Sequence, residues 1–112
     1  HLGDQFEPWM SKLKKAKLFT KVNIEFPFGM LYGDPNSVLD QKTKELATIA
    51  ALTVQSMSDD ALRVHIGAAL NVGACADSIL EIITQMTAYV GFPATTKAII
   101  IAIEELEKRE LI

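Results

Sequence analysis

Apolar residues return at every third or fourth position along almost the whole chain, and no persuasive two-residue alternation interrupts them. That periodicity predicts an all-α fold. A first helix is expected over residues 4–17, with Pro8 tolerated because it stands near the start. Residues 23–32, rich in aromatics (Phe26, Phe28, Tyr32), predict a short helix packed under the domain, and residues 33–37 (Gly-Asp-Pro-Asn-Ser) a loop. Asp40 can accept the free amide hydrogens of a helix over 41–55, on which Leu46, Ile49, Ala50 and Thr53 share one face. Ser58 opens the next helix, to Asn71, with Asp59 and Asp60 at its positive end and Gly73 as a left-handed stop. Residues 77–90 predict a fourth long helix, stopped at Gly91, and Pro93 suits the first turn of a last one running to about Lys108.

At 112 residues the chain suits one compact domain, with residues 1–24 as lead-in helix and 25–112 as the main helical body. The last helix adds an expectation of its own. Ala98-Ile99-Ile100-Ile101-Ala102-Ile103 is apolar all round, so more than one face needs a cover. Self-association through this run, with Ile101 at the contact, is the economical answer, and a tightly wrapped monomer is the alternative.

Charge narrows the partners. A net charge of −3 favours neither nucleic acid nor an anionic surface. Lys12, Lys14, Lys15, Lys17 and Lys21 form a basic cluster, but interleaved Leu13, Ala16 and Leu18 read more simply as an amphipathic helix with a wet side. No apolar run approaches the ~20 residues of a membrane span. The single cysteine, Cys75, excludes an internal disulfide and fits a reducing, cytoplasmic setting. It also excludes dithiol redox chemistry. His65 and Cys75 do not match zinc-ligand spacing, no dinucleotide fingerprint is present, and no metal or cofactor is expected.

His65 is the main candidate for chemistry. Ala61 and Ala69, one turn to either side, suggest room around the imidazole, and Glu45 becomes its partner if the two helices form a hairpin. A carboxylate beside an imidazole fixes its tautomer and suits general acid–base work. The same residues also fit a hydrogen-bonded core histidine. Glu81, Gln85 and Tyr89 recur four residues apart, as either a solvent-facing edge or a pocket-lining stripe. Cys75 precedes a helix, whose dipole could lower its thiol pKa.

Three ordered stretches then carry a resemblance. They are Leu39-Asp40-Gln41-Lys42-Thr43-Lys44-Glu45-Leu46, His65-Ile66-Gly67-Ala68-Ala69-Leu70-Asn71-Val72-Gly73-Ala74, and Glu81 and Gln85 followed by Ala88-Tyr89-Val90-Gly91-Phe92-Pro93-Ala94. Together, over about residues 25–107, the chain resembles the carboxymuconolactone decarboxylase family, within the alkylhydroperoxidase D-like superfamily. The resemblance implies a helical domain of about five to six helices, assembled as a trimer or hexamer. It also implies cofactor-free decarboxylation of a small carboxylated lactone. His65 would exchange the proton, Glu45 would orient it, and Glu81, Gln85 and Tyr89 would contact substrate. Peroxidase-type relatives carry a CxxCxxxH motif whose cysteine positions are Ser58 and Ala61 here. A non-catalytic helical oligomer of the same fold is the competing expectation. Two departures stand out. Decarboxylases have a Trp-Gly-x-x-Trp-x-Arg-Pro-like stretch where this chain reads Phe28-Gly29-Met30-Leu31-Tyr32-Gly33-Asp34-Pro35, and Cys75 replaces a threonine cap.

Overall fold

The computed structural model describes residues 6–112, whose regular elements are all helices, with no strand among them. Residues 4–5 of the expected first helix lie outside that range. Helix α1 (Phe6–Leu13) ends four residues short of the helix expected over 4–17, and a second helix that was not expected, α2 (Lys17–Ile24), follows. The chain breaks there because the carbonyl of Leu13 turns to non-helical donors. It accepts from the Ala16 amide at 2.8 Å and from the Thr20 hydroxyl.

Helix α2 runs directly into a π-helical segment, Glu25–Tyr32, where a short independent helix was expected. Pro27 has no amide hydrogen to give to an α-ladder, which loosens the winding at this point. Gly33 follows because nothing larger fits. A Cβ there would lie 2.6 Å from the Phe28 carbonyl oxygen.

The central hairpin is α3 (Gln41–Gln55) and α4 (Asp59–Asn71). Asp40 accepts from the Thr43 amide at 2.8 Å, and Ser58 from the Ala61 amide at 3.1 Å, so both helices start at the caps their sequences supply. Helix α4 ends in a Schellman motif. Gly73, at φ 104°, donates to Leu70, and Ala74 donates to Ala69.

Helix α5 (Ala76–Gln85) is capped by Cys75, whose sulfur accepts from the Ser78 amide at 3.4 Å while the Ser78 hydroxyl answers to the Cys75 backbone. A continuous helix to Val90 was expected. Instead the chain tightens at Met86, whose amide reaches back three residues to Ile83, and a short α6 (Thr87–Val90) follows. Gly91, at φ 87°, then turns the chain into α7 (Phe92–Lys108), with Pro93 in its first turn.

The core lies between α3, α4, α5 and α7. Ile49, Leu62, Ile66, Ala69, Ile79, Ile83, Ala98, Ile101 and Ala102 form one buried cluster. This corrects the expectation for the last helix. Ile101 is only 4% exposed and packs inward with Ala98 and Ala102, so the bundle covers most of the apolar run itself. Ile100, 52% exposed, is the member that faces outward. Among the described residues, no helix is long and apolar enough to cross a membrane.

Candidate active site

Glu45 lies on α3 and His65 on α4, and folding the hairpin brings the two side chains together. His65 Nδ1 lies 2.7 Å from Glu45 Oε1, a charge-assisted contact between a side chain 17% exposed and one wholly buried. With Nδ1 donating to the carboxylate, Nε2 is the ring nitrogen left to exchange a proton.

Beside the ring is a cavity of about 290 Å³, close to the lower end of small-ligand sites. Val64 and His65 of α4 and Thr48 of α3 form one side. Asn23 of α2 and Pro27, Phe28 and Tyr32 of the π-helical segment form the other. The walls are thus largely aromatic and polar, and the alanines expected to frame the imidazole turn elsewhere; Ala69, for one, is in the core.

The π-helical segment is fastened to α3 through its backbone. Gln41 Nε2 donates to the Tyr32 carbonyl, and Lys44 Nζ to the Leu31 carbonyl at 2.7 Å. These ties hold the Tyr32 ring in a stack, 5.6 Å from Phe28 and 6.4 Å from His65, each at 21° between planes. The Tyr32 hydroxyl bonds to Thr48 Oγ1 and lies 3.5 Å from Glu45 Oε1. Burial pushes its phenol above the usual pKa, and the negative charge of Glu45 adds to that, against the opposing hydrogen bond of Thr48.

Tyr32, Thr48, Phe28 and Asn23 were not singled out from sequence as site residues. The aromatic run over 26–32 was the available signal for two of them, and Thr48 follows Glu45 by three residues on α3, the spacing of neighbours on one helical face.

Glu81, Gln85 and Tyr89 are placed elsewhere. All three are exposed, Tyr89 to 75%, and none lines the cavity beside His65 within a single chain. The break at Met86 separates Tyr89 from the helix that carries the other two. Cys75 is exposed, and hydrogen bonds from Ser78 hold its thiol below its ordinary pKa; its visible work is to cap α5. Among the described residues, no cluster of His, Cys, Asp and Glu could hold a metal ion. The described residues lining the cavity include no Lys or Arg.

A buried carboxylate–imidazole pair at the wall of an open cavity, in an all-helical hairpin bundle, suits proton exchange with a small guest. Residues 18–104 match the carboxymuconolactone decarboxylase family, and the chain belongs to that family. Two relatives extend the comparison. One is an uncharacterized 15.0 kDa protein in the nqo9-nqo10 intergenic region of Paracoccus denitrificans, 45% identical over 65 residues, covering 57% of this chain and 48% of that protein. The other is the 4-carboxymuconolactone decarboxylase of Acinetobacter baylyi, 34% identical over 79 residues, covering 70% of this chain and 57% of the relative. The chain thus spans about half the length of the curated relatives it matches.

Proposed function

We propose that this chain is a cofactor-free lyase that decarboxylates a small carboxylated lactone, with His65 as the general acid and Glu45 as the residue that orients it. The observation that carries the reading is the 2.7 Å contact between His65 Nδ1 and a wholly buried Glu45, at the wall of a cavity of about 290 Å³. The substrate class follows the activity named for the Acinetobacter baylyi relative.

Breaking the bond to the carboxylate releases carbon dioxide and leaves the electron pair delocalised into the lactone as an enolate-like anion. A proton from His65 Nε2 quenches that anion, and the ring recovers its proton from water. Glu45 keeps the imidazolium in place before the transfer. Asn23 and Thr48 offer neutral polar groups to the substrate, and Phe28 an apolar wall.

Peroxide reduction by a dithiol has no support. Cys75 is the single cysteine of the chain, and Ser58 is occupied as the cap of α4. A non-catalytic binding module of the same fold is the competing reading, favoured by the lack of a Lys or Arg among the described cavity residues. Self-association is also part of this proposal. Tyr89, Phe92 and Ile100 supply the exposed apolar surface for it, and Glu81, Gln85 and Tyr89 would meet substrate only from a neighbouring copy.

The test is turnover of 4-carboxymuconolactone, followed as release of carbon dioxide, in the unmodified chain and in His65→Ala. Turnover should be present in the first and lost from the second, with helicity retained. Undiminished turnover in the variant would rule out the role given to His65.

A further inference from the structure

Tyr32 has one phenolic hydrogen and two acceptors close by, Thr48 Oγ1 and Glu45 Oε1. The Thr48 hydroxyl gives its own hydrogen to the Lys44 carbonyl at 2.9 Å. In that arrangement Thr48 is the acceptor for Tyr32, and the 3.5 Å approach to Glu45 is a contact held in reserve. A second arrangement costs little. Thr48 can donate to the Tyr32 oxygen and Tyr32 to Glu45, because the Lys44 carbonyl, inside α3, retains its helical amide partner.

We propose that Tyr32 is a positioning residue for the Glu45–His65 pair, its hydroxyl turning from Thr48 to Glu45 as His65 gives up its proton. The inference rests on the reading of His65 as the proton donor. When the Nε2 proton moves to the substrate carbon, the ring becomes neutral while Glu45 keeps its negative charge. Glu45 is wholly buried, so its loss of a cationic partner has to be offset locally. Rotating one O–H bond supplies a second donor without moving a heavy atom far. No covalent bond at Tyr32 changes, and the proton lost by the ring is the one the substrate gains. The stack between Phe28 and His65 keeps the phenol aimed at α3 throughout. Burial keeps that phenol protonated, as the role requires.

Tyr32→Phe removes the hydroxyl and keeps both rings and the cavity wall. On 4-carboxymuconolactone, kcat should fall about tenfold while KM stays within about twofold, the mark of an interaction made in the transition state. An unchanged kcat overturns the proposal. So does a rise in KM alone, which would mark Tyr32 as a wall. Should the unmodified chain leave the lactone untouched, the proposed function fails, and the contact is then read without turnover. Carbon at Cζ is labelled in the chain's two tyrosines, Tyr32 and Tyr89. The Tyr32 signal should move in Glu45→Gln while that of exposed Tyr89 stays. A stationary Tyr32 signal overturns the proposal, and the same measurement decides if Tyr32→Phe does not fold.

Discussion

Glu45→Gln separates what the buried pair does for the fold from what it does for a reaction. Glutamine keeps the shape of the side chain and an oxygen that can accept from His65 Nδ1, now 2.7 Å away, but it removes the charge. A hydrogen bond to a charged group contributes roughly 1.5–3 kcal/mol and a neutral one roughly 0.5–1.5, so the contact weakens by about 1–1.5 kcal/mol. Against this, Glu45 is wholly buried. The desolvation of its carboxylate, a penalty on the order of several kcal/mol, disappears with the charge. The removed penalty is at least as large as the weakened contact, so unfolding in urea should show no stability loss greater than about 1 kcal/mol. Activity should not be spared. Without its counter-charge the imidazolium is poorly held, and part of a general-acid contribution of ~10²–10⁴ is lost. A fall in kcat of roughly 10- to 100-fold is expected, or about 1.4–2.7 kcal/mol of barrier. Both quantities are measurable on one preparation, by circular dichroism in urea and by release of carbon dioxide. A wild-type kcat in Glu45→Gln would refute the catalytic assignment. A large loss of stability, with kcat falling only as the folded fraction falls, would make the pair structural.

Other substitutions probe the frame around the site. Ile101→Ala should cost about 2–5 kcal/mol because the side chain is 4% exposed in the core. Its neighbour Ile100→Ala, 52% exposed, should stay within about 0.5 kcal/mol in the same urea titration; equal losses would put the wrong face of α7 inward. Gly33→Ala places a Cβ 2.6 Å from the Phe28 carbonyl, so the π-helical segment must shift. A stability loss of roughly 1–3 kcal/mol and a drop in turnover are expected, and a variant indistinguishable from the parent in both would contradict this packing. Asp40 has a folded-state pKa held below its ordinary value by its hydrogen bonds to Thr43. Its contribution is present above the ordinary carboxylate range and lost as pH falls through the lowered value. Asp40→Asn should therefore show less of the acid-side decline, with urea midpoints at neutral and acid pH as the measurement; identical declines would deny the cap this role.

The elements legible in the sequence are those that local chemistry starts or stops. Asp40, Ser58, Gly73 and Pro93 mark ends of α3, α4 and α7, and each does so through contacts with residues a few positions away. The Glu45–His65 contact was legible for a related reason, since a short turn between two helices fixes which positions meet. The break after Leu13 was not, because it depends on Thr20 reaching back seven residues. Nor was the break at Met86, which has no proline or glycine to announce it. Ile101 was assigned outward because a run apolar on every side gives no clue to direction; only the packing of α3, α4 and α5 against α7 decides it. The spacing of Glu81, Gln85 and Tyr89 says that they share a side of a regular helix and nothing about what that side faces. Tyr32 went unassigned since its partners lie 13 and 16 residues onward, on a helix it meets only after folding.

The wide winding of residues Glu25–Tyr32 bears on how this chain can change over time. A π-turn holds one residue more than the α-turn it displaces, and so it is a place where a lineage can lose or gain a single codon without breaking a helix. Here such a change would rotate the aromatic that leans on the imidazole, leaving every residue of the central hairpin intact. Relatives that differ by one position in this stretch would then share His65 and Glu45 while presenting a different wall to whatever they accept.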